Sequence, residues 1–139
     1  MQLVPSGSVP STLRDVGDDD SEGYVLGVRE STEPGSWSLL FMECGDDLDD
    51  QEIDLGWDTY CLVVDPGQAT YYGGVLACRV TDRHLYLRLT SDAAETLGLP
   101  TELTFALELP SDRISLLKRG LTRVFTSGRA NAQPGTLAV

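Results

Sequence analysis

Residues 74–90 read GVLACRVTDRHLYLRLT and give the clearest indication of the fold. The second half of this stretch alternates between apolar and polar side chains, as a half-buried strand does. The apolar run before it ends at Asp82 and Arg83, where a tight turn fits. The stretch therefore predicts a β-hairpin with one buried face. In its second strand, the inner positions are Leu85, Leu87 and Leu89, and the outer positions are His84, Tyr86, Arg88 and Thr90.

Four further segments have the composition of strands. Residues 23–30 (GYVLGVRE) and 36–43 (SWSLLFME) are β-rich and are joined by Pro-Gly turn chemistry, which predicts another hairpin. Residues 57–65 (WDTYCLVVD) predict a strand that ends at a Pro-Gly pair, and a bend follows at residues 71–73 (YYG). Residues 102–109 (ELTFALEL) alternate again and place four side chains on one face: Leu103, Phe105, Leu107 and Leu109.

The C-terminal half of the chain predicts two helices. Ser91 is a suitable N-cap for a short helix over residues 92–97, which Gly98 ends. Ser111 or Asp112 caps a longer helix whose apolar side chains recur at helical spacing, namely Ile114, Leu117, Leu121, Val124 and Phe125. Strands and helices together predict the α+β class: a mostly antiparallel sheet with one short helix and one C-terminal amphipathic helix packed on a face.

The length of 139 residues favours one domain. Residues 1–22 are rich in Ser, Pro, Gly and Asp and poor in large apolar groups, so they predict a disordered acidic N-terminal arm. Residues 128–139 (GRANAQPGTLAV) predict a disordered tail for the same reason. The folded α+β domain is expected over residues 23–127.

The net charge of −12 excludes several classes of partner. Nucleic acid and anionic membranes both require a basic surface, so neither is expected as a partner. The negative charge is unevenly distributed along the chain. Residues 1–65 hold sixteen acidic and two basic side chains, whereas residues 66–139 hold six acidic and eight basic side chains. No apolar run is long enough for a membrane span, and residues 1–20 lack the pattern of a signal peptide, so we expect a cytoplasmic protein.

The sequence contains no recognisable motif for catalysis or for cofactor binding. The three cysteines form no C-x-x-C pair, and Cys61 and Cys78 lie in apolar runs typical of buried thiols. The one histidine, His84, falls on the polar face of a strand, where a surface position is expected. We therefore expect no enzyme activity, no catalytic residue, no cofactor and no metal site.

An acidic stretch over residues 43–54 allows three interpretations. Its carboxylates could bind calcium, although the spacing does not fit an EF-hand loop. They could instead form a solvated loop, or a docking surface for a basic partner. The stretch leads into Trp57 and Tyr60, with Tyr71 and Tyr72 after the next strand, and aromatic side chains beside charge favour the docking surface. Trp57 and Tyr60 fit a core position equally well. The predicted surface comprises Asp46, Asp47, Asp49, Asp50, Glu52, Asp54, Tyr60, Tyr71 and Tyr72.

The order of several short motifs resembles the immunity protein 10 family of bacterial polymorphic toxin systems. The motifs are DQEIDLGWDTY (50–60), GQ (67–68), YGGV (72–75), LYLRL (85–89) and LTRVF (121–125). The resemblance covers residues 23–125 and implies an α+β fold and a cytoplasmic antidote that binds and blocks a toxin, without catalytic residues. The matching positions that it singles out are Glu52, Gly56, Asp58, Tyr60, Gln68, Tyr72 and Gly73, which adds Asp58 and Gln68 to the predicted surface.

The resulting hypothesis is an immunity protein that neutralises its cognate bacterial toxin through an acidic and aromatic surface. The toxin would be basic, for example a nuclease whose active site the carboxylates would occupy. The alternative is a small acidic module that binds a metal ion or another ligand.

Overall fold

The structure is a computed structural model that describes residues 9–21, 23–43, 59–65, 67–127 and 134–139. Within these residues the chain forms ten strands and two helices. The strands are β1 (Thr12–Leu13), β2 (Asp15–Asp19), β3 (Val25–Arg29), β4 (Ser38–Met42), β5 (Cys61–Asp65), β6 (Ala69–Tyr72), β7 (Val75–Val80), β8 (His84–Leu89), β9 (Glu102–Leu107) and β10 (Thr136–Ala138). The helices are α1 (Ser91–Leu97) and α2 (Ser111–Phe125).

The first sheet has the order β2-β3-β4-β5-β6, and all of its neighbouring strands are antiparallel. It contains the predicted β3–β4 hairpin. Its register aligns Leu26, Phe41 and Leu62, which are fully buried and point toward the core. Alternate residues therefore form an inner face against the core and an outer face on the opposite side.

The second sheet has the order β1-β9-β8-β7-β10. The hairpin predicted from residues 74–90 is β7–β8, and β8 pairs antiparallel with β9. Two short strands from near the chain ends, β1 and β10, pair parallel with β9 and β7 at the two edges. Leu85, Leu87 and Leu89 are buried as expected, whereas His84 and Arg88 are exposed.

The hydrophobic core joins both sheets and both helices. The ring of Phe125, at the end of α2, lies 5.0 Å from the ring of Tyr60 and 5.7 Å from that of Phe41. Trp37, just before β4, lies 5.7 Å from Phe105 of the second sheet. Helix α2 packs against β2, β3 and β4, and α1 packs against β6. The predicted α+β class is confirmed, with the strands divided between two sheets.

The helix boundaries correct two predicted caps. Thr90, not Ser91, is the N-cap of α1, because its hydroxyl accepts a hydrogen bond from the N–H of Ala93 at 3.2 Å. Pro110 precedes α2 without a side-chain cap, since its fixed φ suits an extended residue before a helix. Gly98 ends α1 in the left-handed conformation, as predicted.

The chain is ordered at two places where disorder was predicted. Residues 12–19 form β1 and β2, and residues 136–138 form β10, so the prediction of a disordered arm and tail is wrong there. The few apolar side chains in the N-terminal segment explain the difference, because Leu13 and Val16 are buried in the core. Pairing with neighbouring strands supplies the remaining contacts of these segments.

The predicted bend at residues 71–73 is replaced in part by β6, which includes Tyr71 and Tyr72. In the described part of the chain, neither helix is long and apolar enough to span a membrane.

Candidate functional site

The predicted binding residues fall into two groups. Seven of them lie within residues 44–58, outside the described part of the chain: Asp46, Asp47, Asp49, Asp50, Glu52, Asp54 and Asp58. Trp57 and Cys44 lie there as well. The other four binding residues are described, and the first sheet places them in different environments: Tyr60, Gln68, Tyr71 and Tyr72.

Tyr60 is a core residue, which corrects its prediction as a contact residue. Its side chain has no exposed surface and packs edge-on against Phe125. Its hydroxyl accepts a hydrogen bond from the N–H of Val75 at 3.1 Å. Burial raises the pKa of this hydroxyl to about 12. A side chain in this position stabilises the fold and cannot touch a partner.

Tyr71 and Tyr72 lie on opposite faces of the first sheet. Tyr71 pairs with Leu62 and packs against the core. Tyr72 pairs with Cys61 and is 39% exposed on the outer face. Gln68 adopts a left-handed φ of 58° in the turn before β6, where its amide donates to Asp65 at 3.0 Å. Of these residues, Tyr72 offers the larger aromatic surface to a partner.

The outer face of the first sheet is apolar in the middle and acidic along β2. One row of paired residues crosses all five strands, in the order Asp19, Val25, Met42, Cys61 and Tyr72. The row beside it runs Gly17, Gly27, Leu40, Val63 and Thr70. Four strand spacings of about 4.8 Å place Asp19 and Tyr72 about 19 Å apart. This face thus carries carboxylates at one edge and an exposed tyrosine at the other.

A groove of about 320 Å³ runs over this outer face at its β2 edge. Its floor is the directly paired glycines Gly17 and Gly27, which place no side chain above the sheet. The pairs Asp15–Arg29 and Asp19–Val25 close its two ends, and Leu40 forms the side toward the middle of the sheet. We call this feature the glycine groove. It is lined by Asp15, Gly17, Asp18, Asp19, Val25, Gly27, Arg29 and Leu40.

The glycine groove carries more negative than positive charge. Asp15, Asp19 and Arg29 place their charged groups on this face, whereas the carboxylate of Asp18 points to the helix side of β2. Asp15 is ion-paired with Arg29, whose Nε donates to it at 2.8 Å. Asp19 accepts a hydrogen bond from the N–H of Ser21 at 2.9 Å, which lowers the pKa of its carboxyl. Asp19 is therefore ionised at neutral pH and contributes a negative charge to the groove.

A network behind the glycine groove fixes the β2 edge to α2. The guanidinium of Arg123 lies 4.3 Å above the ring of Tyr24 and binds Glu43 at 2.9 Å and Asp20 at 3.1 Å. The hydroxyl of Tyr24 in turn donates to Asp18 at 2.9 Å. These contacts hold the acidic residues of β2 in place on the helix side. The sequence did not predict the network, because residues 18–20 fell within the predicted arm.

The outer face of the second sheet has the opposite charge. It presents His84, Arg88 and Arg79, and the guanidinium of Arg79 lies 5.5 Å from the ring of Tyr86. The hydroxyl of Tyr86 donates to Glu102 at 2.8 Å. The surface position predicted for His84 is confirmed. The two outer faces therefore suit partners of different charge, and the first sheet suits a cationic one.

Both described thiols are buried, as predicted, Cys78 in the core and Cys61 on the outer face of the first sheet. Cys78 has no exposed surface and Cys61 is nearly buried. Burial raises the pKa of Cys78 to about 12 and that of Cys61 to about 11, so both remain protonated and unreactive at neutral pH. Within the described ranges, no three His, Cys, Asp or Glu side chains come together as metal ligands could.

A comparison with known protein families identifies a match over most of the chain. The family model described as Immunity protein 10 matches residues 12–115. This confirms the resemblance seen in the sequence and extends it to β1 and β2, so the match includes both strands under the glycine groove. No curated protein and no solved structure matches the chain at a significant level.

Proposed function

The chain belongs to the immunity protein 10 family, and on this premise we propose that it neutralises a cognate bacterial toxin by binding it. The family match is the observation that carries the proposal. The binding surface that we propose is the outer face of the first sheet, from Asp19 to Tyr72, together with the acidic residues predicted from the sequence, namely Asp46, Asp47, Asp49, Asp50, Glu52, Asp54 and Asp58. The protein would act in the cytoplasm on a basic toxin, such as a nuclease.

The chemistry of the outer face supports this surface. A half-buried apolar centre provides area that a partner can cover, and an exposed aromatic residue such as Tyr72 is a frequent anchor in interfaces. Carboxylates at its β2 edge attract a cationic protein over a distance and speed its association. The outer face of the second sheet offers Arg79 and Arg88 against one carboxylate, Glu102, and would therefore attract such a toxin less.

Co-expression with the toxin encoded beside this gene tests the function. Cells that carry both genes should survive when cells with the toxin gene alone die, and the purified proteins should form a complex. Cell death in the presence of folded, soluble antidote, together with no complex, would contradict the proposal.

Two tyrosine variants locate the surface. Tyr72→Ala should weaken toxin binding at least about tenfold, because truncation of an interface anchor typically has such an effect. Tyr86→Ala is the matched control, since Tyr86 lies on the outer face of the second sheet. If both variants bind the toxin as tightly as the wild type does, the binding surface lies elsewhere on the protein. That result would not contradict toxin neutralisation itself.

The acidic residues can be tested through the salt dependence of association. Replacement of Asp46, Asp47, Asp49 and Asp50 by Asn should slow association and flatten its dependence on ionic strength. Stopped-flow mixing with the toxin at low and high salt measures both effects. An unchanged association rate would mean that this stretch is a solvated loop.

A further inference from the structure

Gly17 is a glycine that the fold itself does not require. Its φ lies outside the left-handed region, so a residue with a side chain could adopt the same backbone conformation. A Cβ built on Gly17 meets no heavy atom within 4 Å among the described residues, so no neighbour excludes a side chain. Glycine inside a strand also costs stability, because it has more conformational freedom to lose on folding. The position therefore needs an explanation from outside the fold.

The neighbouring strand repeats the feature. Gly27 pairs directly with Gly17, and a Cβ on Gly27 would meet only the tip of the Leu40 side chain, at 3.0 Å. Leu40 thus leans over Gly27 and forms the wall of the glycine groove, while the space above Gly17 stays open. Two paired glycines leave a recess deep enough for a side chain from another molecule to reach the backbone of the sheet.

The walls of the glycine groove combine two kinds of chemistry. Val25 and Leu40 offer aliphatic surface. Asp19 offers an ionised carboxylate at one end of the groove. Asp15 precedes it by four residues in β2, which corresponds to about 13 Å at the usual rise of a strand. Lysine and arginine side chains match such a recess, because their aliphatic stems cover apolar surface while their charged ends reach a carboxylate.

We propose that the glycine groove receives a lysine or arginine side chain of the toxin, with its stem over Gly17 and its cationic end at Asp19. The inference rests on the proposed function and specifies how the first sheet would recognise its partner. Asp19 and not Asp15 is the expected contact, because Asp15 is already ion-paired with Arg29.

Filling the glycine groove tests the recess. Gly17→Val should fold with unchanged or higher stability, since valine favours strands and a Cβ at this position meets no heavy atom within 4 Å. It should bind the purified toxin at least about tenfold more weakly, because the added side chain occupies the recess. Thr104→Val is the matched control, as it introduces valine at an exposed strand position on the outer face of the second sheet, outside the proposed binding surface. If Gly17→Val does not fold, Gly17→Ala is the substitute and should show the same order of affinities.

The charge is tested separately with Asp19→Asn and an alanine scan of the lysines and arginines on the toxin surface. One alanine substitution in the toxin should weaken its binding to the wild-type antidote about tenfold. The same substitution should hardly change its binding to Asp19→Asn or Gly17→Val, because the effects of two residues in contact are coupled. Failure of the wild type to bind the toxin would contradict the proposed function itself. Toxin binding that is equal for the wild type and Gly17→Val would overturn only the groove. A weakened Gly17→Val without any coupled cationic residue would overturn the choice of lysine or arginine.

Discussion

The hydroxyl of Tyr60 accepts a hydrogen bond from the N–H of Val75 at 3.1 Å, and this bond links the two sheets. Tyr60 stands directly before β5 of the first sheet, and Val75 begins β7 of the second. The carbonyl of Tyr60 also accepts from the N–H of Gly73 at 2.8 Å. The short connection from β6 to β7 is thus held by one buried tyrosine.

Tyr60→Phe should lower the free energy of unfolding by about 1–3 kcal/mol, because it leaves the buried N–H of Val75 without this acceptor. Urea unfolding measures the change. The control is Tyr86→Phe, whose hydroxyl bonds Glu102 at the surface and whose loss should leave the unfolding midpoint unchanged. Toxin affinity should stay the same in Tyr60→Phe, and a selective loss of affinity would return Tyr60 to the binding surface.

The same residue makes the fold sensitive to alkaline pH. Burial raises the pKa of Tyr60 from 10.0 to about 12, so the folded state favours the protonated hydroxyl. Its contribution to stability is complete below pH 10 and is lost as the pH rises through about 12.

Cys61 and Cys78 act in the same direction, with pKa values raised from 9.0 to about 11 and about 12. The unfolding midpoint in urea should therefore fall steadily above pH 9. Serine at both cysteines should delay the start of this fall, in comparison with the wild type at the same pH. A midpoint that stays constant up to pH 11 would contradict the buried positions of these groups.

Gly120→Ala should destabilise the protein, contrary to the usual effect in a helix. Alanine normally gains about 1 kcal/mol over glycine in a helix interior. Here a Cβ on Gly120 would lie 2.7 Å from the hydroxyl oxygen of Tyr24 and 2.8 Å from Cδ1 of Leu26. We expect a net loss of about 1–3 kcal/mol, as for other overpacked sites. Ser115→Ala, on the exposed face of α2, should be neutral or slightly stabilising in the same thermal or urea measurement.

Arg123→Gln should loosen the β2 edge without unfolding the protein. The variant loses the ion pairs to Asp20 and Glu43 and the contact with the ring of Tyr24. Amide hydrogen exchange of residues 18–21 should become faster, while exchange in β8 stays slow. Arg119→Gln is the control, because Arg119 bonds only the carbonyl of Ser115, at 3.4 Å, among the contacts described. Equal exchange in both variants would show that the network does not hold β2.

Strands in which apolar and polar residues alternate strictly were predictable from the sequence. Strands with few apolar residues were not. In β8 every second residue is a leucine, so the sequence itself indicates the buried face. In β2 (DVGDD) a single valine, Val16, enters the core, and three aspartates suggested disorder. Pairing with β3 supplies the remaining stabilisation, and such pairing cannot be deduced from β2 alone.

The same difference applies to the candidate site. Tyr72 was predicted as one of the aromatic side chains that follow the acidic stretch, and it is exposed on the outer face. Tyr60 was not distinguishable from a surface aromatic, because the contact with Phe125 joins residues far apart in the sequence. The glycine groove depends on the register between β2 and β3, which places Gly17 opposite Gly27. One signal was available in the sequence: in DVGDD a strand would place Val16 on one face and Gly17, between Asp15 and Asp19, on the other.

The parallel edge strands of the second sheet have a consequence for the order of folding. The first sheet uses consecutive strands, β2 to β6, so each of its pairings joins strands that are neighbours along the chain. In contrast, β1 must pair with β9, and the partners Thr12 and Ala106 are separated by most of the chain. Long loops of this kind close late, because the entropy lost on closure precedes the gain from pairing. We therefore expect the first sheet and the β7–β8–β9 meander to form early, and the chain ends to dock in a separate, slower kinetic phase.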